Sequence, residues 1–263
     1  MKNSRTFAVV AQIICVIATA FFLYPLVLMF MKSLKNGGFN NYVQVLEIVS
    51  MWRNYLNSVY VVGLTLIIVS IATSLAAYAF SKLRFTASKQ LYFLLLTGMM
   101  IPTAATIFPL FQVTKALGLI NNTSSLIGPY ATMNAVFNLL ILKNYYDGLP
   151  NEMIEAARID GAGSFATFAR VFAPLSLPGL ALVLIQTFLS AWNELQMGMT
   201  FVNKPELQTI TVIPLRFAQT ISGGYPMELL YACLVMALAP IIIFYAFAQK
   251  FLIAGLTAGA IKG

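Results

Sequence analysis

Few side chains in this sequence of 263 residues could carry covalent chemistry, and their placement excludes most of it. There is no histidine, which removes Ser-His-Asp and Cys-His nucleophile pairs and every His-ligated metal site. The two cysteines, Cys15 and Cys233, each lie inside an apolar run. There a thiol packs as a small hydrophobe and not as part of a disulfide framework or metal cluster. The eight acids fall almost entirely between the apolar runs; Glu194 closes one of them. No G-x-x-x-x-G-K-[ST] phosphate loop occurs, so the chain has no nucleotide cradle of that type. What remains is hydrogen-bonding chemistry inside apolar segments. Gln186, Ser190 and Asn193 recur at i, i+4 and i+7, and Tyr130, Asn134 and Asn138, like Ser70, Ser74 and Tyr78, at i, i+4 and i+8, so each trio shares one helix face. Amides, hydroxyls and aromatic rings on one helix face suit a neutral polyhydroxylated solute, and serve equally to bond helix to helix.

The elements that position these groups follow from composition. Hydrophobic residues make up 60% of the chain and charged residues 9%, against about a quarter charged in soluble domains. The apolar residues form long blocks, the pattern expected where lipid is the solvent. Six blocks suffice to span a bilayer: 8–31, 57–80, 91–112, 124–142, 177–198 and 229–250. The expected fold class is therefore all-α, a polytopic membrane protein with about six transmembrane helices in a single domain, 1–263. Pro102, Pro129 and Pro240 fall inside spans, where membrane helices tolerate them. The first block runs through Ala18-Thr19-Ala20 to about Met31, too long for a signal peptide, and reads as a retained helix. A net charge of +8 does not point to nucleic acid, because the basic residues sit singly between spans and not on one face. They orient the chain instead. With the N-terminus in the cytoplasm, ten of the sixteen basic residues, Lys82 and Arg84 among them, fall on the inner side. The positive-inside rule thus puts both termini in the cytoplasm.

Three connections exceed simple turns. Residues 32–56 carry Tyr42, Val45, Leu46 and Val49 at helical spacing, which predicts a short surface helix. Residues 199–228, with Pro205, Pro214, Gly223-Gly224 and Pro226, read as a looped, partly ordered external segment. The connection 143–176 reads as two short helices at the inner surface. Pro150 suits a first turn, Glu152 and Glu155 favour the positive helix start, and Arg158 the C-terminal end. Gly161 is placed to end the first helix and Ser164 to cap the second. Phe165, Phe168 and Phe172 share a face of the second, and Pro174 and Pro178 close it.

Glu155-Ala156-Ala157, three residues, Gly161, nine residues and Val171-x-x-Pro174 together resemble the EAA loop of ABC importer permeases, whose pattern ends I-x-L-P. Val171 and Ala173 depart from it. Ile159-Asp160-Gly161-Ala162 is the version seen in carbohydrate-type permeases. Asn57-Ser58, Ala191-Trp192-Asn193-Glu194 and the C-terminal Gly255-Leu256-Thr257-Ala258-Gly259-Ala260-Ile261-Lys262-Gly263 extend the resemblance to the shorter, six-helix partner of the maltose-type importers. The resemblance implies a permease subunit in the plasma (inner) membrane of a prokaryote. It would form half of a pathway for a sugar or oligosaccharide, with the EAA loop docking on an ATPase. Glu152, Glu155, Ala156, Ala157, Arg158, Asp160 and Gly161 would make or brace that contact. The implied partners are a second permease, making a heterodimer, two cytoplasmic ATPase subunits and an extracellular solute-binding protein, for which 199–228 is the candidate docking surface. This chain would bind no cofactor and no metal, and ATP and Mg would sit on the ATPase subunits. The competing reading is an ion-coupled secondary transporter of a small polar solute. It requires intramembrane acids, and only Glu194 approaches one.

Overall fold

A computed structural model of the chain describes residues 2–219 and 224–260. All the described regular structure is helical: α1 (Lys2–Ser33), α2 (Asn40–Ile48), α3 (Met51–Lys82), α4 (Ser88–Thr97), α5 (Thr103–Ala116), α6 (Ile127–Asp147), α7 (Glu152–Ile159), α8 (Ser164–Thr167), α9 (Ala173–Leu175), α10 (Leu177–Trp192), α11 (Gln196–Phe201), α12 (Ile213–Gln219) and α13 (Met227–Ala260), joined by short 3-10 turns and one π-turn at Phe168–Phe172. Among the described residues, four helical stretches are long and apolar enough to cross a membrane: Phe7–Ser33, Met51–Lys82, Thr123–Asp147 and Met227–Lys250. Two bent pairs, Ser88–Met100 with Thr103–Ala116 and Ser164–Leu175 with Leu177–Trp192, bring the number to six if each pair is one span. The chain is an all-α polytopic membrane protein.

Two expected spans are corrected. The third, 91–112, is not continuous, because the chain bends by 104° at Ile101–Pro102. Pro102 lacks an N–H and pushes its predecessor out of helical geometry. Ile101 accordingly sits extended at φ −78°, ψ 119°. The fifth, 177–198, ends at Trp192, and a separate short helix begins at Gln196. In the loop, α7 begins at Glu152 with Asn151 at its N-cap, so Pro150 precedes the helix and does not lie in its first turn, and Gly163 precedes α8 with no side-chain cap from Ser164.

The chain divides into two compact units. The first comprises residues 1–51 and 213–240. Here the Asn41 amide donates to the carbonyls of Ser33 and Lys35 at 2.8 and 2.9 Å, which satisfies the open C-terminal end of α1 and turns the chain into α2. α2 buries Val45, and Val49 follows it into the interior, while Leu46 stays exposed. None of the most apolar stretch of α1 is buried within the chain.

The second unit, 52–212 with 241–263, holds the main core. Val69, Ala77 and Tyr78 of α3, Leu139, Leu142 and Tyr146 of α6, Phe172, and Val183 of α10 pack into one cluster. α6 and α10 approach so closely that a Cβ on Gly179 would lie 2.7 Å from the Tyr145 ring. Glycine is required there because the neighbour is the base of a ring and not a flexible tip. The expected six-span bundle thus has a rigid α3–α6–α10 centre on which the 143–176 connection rests.

Candidate functional site

The connection 143–176 is an elbow with distinct inner and outer faces. On α7, Ala157 is buried, and Met153 and Ile154 lie half-buried against the core cluster. Glu152, Glu155, Ala156, Arg158, Ile159 and Asp160 are exposed. The helix ends at Gly161, whose φ is +77°, the left-handed conformation that costs glycine least. That turn lets the Asp160 and Gly161 amides bond back to Ala156 and Arg158, and the Ala162 amide to Ala157 at 2.9 Å. The spacing of Glu155-Ala156-Ala157 and Gly161 is thereby explained. Ala157 is small where it faces the core, and Ala156 lies on the exposed outer face.

Sequence reasoning missed the two most exposed large apolar groups of the elbow. Ile159 is 87% exposed at the end of α7 and Phe165 73% exposed at the start of α8. The three phenylalanines differ in environment. Phe172 is fully buried and the half-buried Phe168 ring lies tilted, 5.3 Å from that of Tyr78, whereas Phe165 stands out from the fold. Ile159 and Phe165 are thus exposed apolar groups on an elbow that also exposes Glu152, Glu155, Arg158, Asp160 and Arg170.

The elbow is braced by long-range contacts that its own sequence does not announce. Lys82, the last residue of α3, donates from Nζ to the Leu149 carbonyl at 2.7 Å and to Asn151 Oδ1 at 2.9 Å, and lies 5.6 Å from the Phe172 ring. Ser81 Oγ donates to Asp147 Oδ1, and Lys143 pairs with the other Asp147 oxygen, both at 2.6 Å. Past the elbow, Tyr146 donates to Ser176 Oγ and Tyr145 to the Leu175 carbonyl, each at 3.1 Å. α3 and α6 thus hold both ends of the elbow.

The polar trios separate in the structure. Gln186, Ser190 and Asn193 are all exposed on α10 and share one face. Tyr130, Asn134 and Asn138 are buried. Asn134 donates to the Tyr130 carbonyl, and Asn138 donates to the Asn134 carbonyl and to Thr187 Oγ1 at 3.0 Å. Asn138 therefore ties α6 to α10 and does not line an opening. On α3, Ser70 and Ser74 are largely covered, and Tyr78 packs among Tyr146, Phe168 and Phe172 behind the elbow. The three do not form one site. Ser190, Tyr130 and Asn134 share a recess of about 120 Å³ with Thr103, Met133, Ala191, Met197 and Glu194. Glu194 accepts from the Tyr130 hydroxyl at 2.7 Å and from the Met197 and Gly198 amides at 2.9 and 3.1 Å. It fixes the start of α11 to α6. A larger recess of about 580 Å³ between α10 and the later part of α13 is lined by apolar groups alone, Leu184 and Phe247 among them, and touches none of the polar trios.

The segment 199–228 is more ordered than its loop-like sequence suggests. Phe201, Val202, Ile210 and Val212 are buried, as are Ile213 and Phe217 in the other unit. Residues 220–223 lie outside the described residues. Asn54 and Asn57, on the first turns of α3, donate to the carbonyls of Pro205, Glu206 and Gln208 at 2.8–3.1 Å. Ser58 Oγ accepts from the Ile210 amide. These bonds account for the Asn57-Ser58 pair noted in the sequence. Asn203–Glu206 forms an exposed tip, and Gly224, Pro226 and Met227 are exposed as well.

A family model described as the binding-protein-dependent transport system inner membrane component matches residues 69–257. A probable ABC transporter permease protein of Bacillus subtilis is 31% identical, over 91% of this chain and 84% of its own length. The trehalose/maltose transport system permease protein of Thermococcus litoralis is 34% identical, over 85% of this chain and 81% of that one. Among solved structures, a chain of a bacterial ABC transporter involved in the import of the acidic polysaccharide alginate superposes with a TM-score of 0.81 at 25% identity, covering 95% and 98% of the two chains. A methionine ABC transporter in an inward-facing conformation shares the fold at a TM-score of 0.59 and 18% identity.

Proposed function

Because the chain belongs to the family of binding-protein-dependent transport system inner membrane components, we propose that it forms half of a pathway for a sugar or oligosaccharide and couples to an ATPase through the elbow at 152–175. The observation that carries the coupling role is the exposure of Ile159 at the end of α7 and of Phe165 at the start of α8, on an elbow anchored at its start by Lys82 and turned at Gly161. Such a pair has no purpose facing water, and burying a side chain of this size is worth about 1.5–3 kcal/mol. Glu152, Glu155, Ala156, Arg158 and Asp160 would form the surrounding contact, with Ala157 and Gly161 shaping the helix beneath it. The chain has no phosphate loop, so ATP and Mg belong to the ATPase subunits and this chain binds no cofactor. In this reading the elbow is cytoplasmic, as are both termini, and the membrane is the inner membrane of a prokaryote.

The sugar assignment draws on the relatives, several named for trehalose, maltose, melibiose or diacetylchitobiose uptake, and on the exposed amide and hydroxyl face of Gln186, Ser190 and Asn193. The full importer comprises this chain, a second permease, two ATPase subunits and an extracellular binding protein, which meets the tip Asn203–Glu206. Two experiments test the reading. Gentle purification of the tagged chain should recover an ATPase subunit, and Ile159→Asp should lower that recovery at least tenfold while the permeases stay together. If Ile159→Asp retains the ATPase and full uptake, the elbow is not the coupling contact. Replacement of Asn203–Glu206 by Gly-Ser repeats tests the tip without disturbing the buried residues on either side, and unchanged uptake would remove its docking role.

A further inference from the structure

The first compact unit contains a second polar site, remote in sequence from the elbow and the α10 face. A recess of about 270 Å³ is lined by Lys32, Lys35, Met227, Glu228 and Tyr231. Lys32 lies in the last turn of α1 and Glu228 in the first turn of α13. The Lys32 ammonium sits 5.3 Å from the centroid of the Tyr231 ring. One carboxylate oxygen of Glu228 accepts from the Asn36 amide at 2.6 Å, which fixes the acid on one side of the recess.

The depth of this recess is set by the helices themselves. The apolar stretch Phe7–Ser33 ends at it, and the apolar stretch Met227–Lys250 begins at it. It therefore lies where hydrocarbon gives way to the polar surface, the level at which Lys and Tyr anchor membrane helices. Below it, Met31, Val27 and Tyr24 of α1 are more than half exposed, a face that acyl chains would cover. The recess carries both signs of charge, two ammonium groups and one carboxylate. A purely anionic ligand would meet the carboxylate unfavourably, whereas a headgroup with a phosphate and an amine matches both.

We infer that this recess binds the headgroup of an aminophospholipid, with Lys32 and Lys35 on the phosphate and the Glu228 carboxylate on the ammonium. An ammonium gains from a carboxylate, and a phosphate gains from paired lysines near the membrane surface. The site would hold the outer ends of two spans in register through a lipid. It is independent of which solute the importer carries.

The test uses the full chain, extracted from membranes with its co-purifying subunits and stripped of loosely held lipid. Native mass spectrometry then counts the phospholipid retained during titration with dioleoyl-phosphatidylethanolamine, dioleoyl-phosphatidylglycerol or inorganic phosphate. The expected result is preferential retention of the ethanolamine lipid. Lys32→Gln with Lys35→Gln should weaken both lipids by on the order of tenfold, Lys32→Arg with Lys35→Arg should restore them, and Glu228→Gln should weaken the ethanolamine lipid alone. Equal retention by the double Gln variant overturns the site. Equal binding of the two lipids by the unaltered chain overturns the amine assignment, and displacement of lipid by inorganic phosphate shows a free-anion site instead. Should the double variant fail to accumulate, Lys35→Gln alone and direct competition between the two lipids carry the same decision.

Discussion

Replacing Gly161 by alanine isolates the conformational contribution to coupling from any steric one. The residue holds φ +77° at the end of α7, and a Cβ built there has no neighbour within 4 Å. Alanine therefore clashes with nothing in the chain. Its whole cost is the left-handed backbone, about 1–2 kcal/mol for an L-residue. Relieving that strain means unwinding the last turn of α7, which breaks the Ala162-to-Ala157 bond and swings Ile159 out of place. At about 1.4 kcal/mol per factor of ten, the ratio of docking-competent to unwound elbow falls by roughly 5- to 30-fold. Uptake by membrane vesicles carrying the complete importer should fall with it wherever docking limits transport, and hydrogen exchange at the amides of Asp160, Gly161 and Ala162 should accelerate by a similar factor. Asparagine tolerates the left-handed region better than alanine, so Gly161→Asn should recover most of the activity. Wild-type uptake and exchange in Gly161→Ala would refute the argument. Equal defects in Ala and Asn would refute it differently, by showing that a side chain at 161 collides with the partner.

Further substitutions probe the supports of the elbow and the bundle. Lys82→Ala removes two charge-assisted bonds to Leu149 and Asn151 at a partly exposed position; protection of amides 149–156 should drop by about tenfold in hydrogen exchange, with the α6–α10 amides unchanged. Gly179→Val drives side-chain atoms into Tyr145 and should lower thermal stability in detergent by several degrees, or prevent accumulation, as over-packing by 1–3 kcal/mol does; a stability equal to wild type would show that α10 shifts freely. Glu194→Leu leaves the Tyr130 hydroxyl and the Met197 and Gly198 amides without their acceptor, an expected loss of about 2–5 kcal/mol. Glu194→Gln keeps an acceptor and should lose distinctly less, as read by thermal unfolding.

The amino-acid sequence by itself determined what depends on local composition and spacing. Long apolar blocks must find lipid, so the spans are visible at once. The elbow was legible because one helix turn separates Glu155, Ala156 and Ala157 from a glycine that only a left-handed exit explains, and Gly161 adopts that conformation. Tertiary structure decided everything that depends on residues distant in the chain. Lys82 reaches Leu149, Asn54 reaches Gln208 and Asn138 reaches Thr187, and no periodicity along the chain records such pairings. The same holds for faces. Phe165, Phe168 and Phe172 read as one apolar stripe, yet with a π-turn at 168–172 Phe172 is buried, Phe168 half-buried against Tyr78, and Phe165 left outside. Ile101–Pro102 carried the signal for a break, but proline is tolerated within spans elsewhere in this chain, at Pro25 and Pro240. Whether a proline bends a membrane helix by 104° or is accommodated depends on which neighbours satisfy the freed backbone groups, and only the packed bundle supplies them.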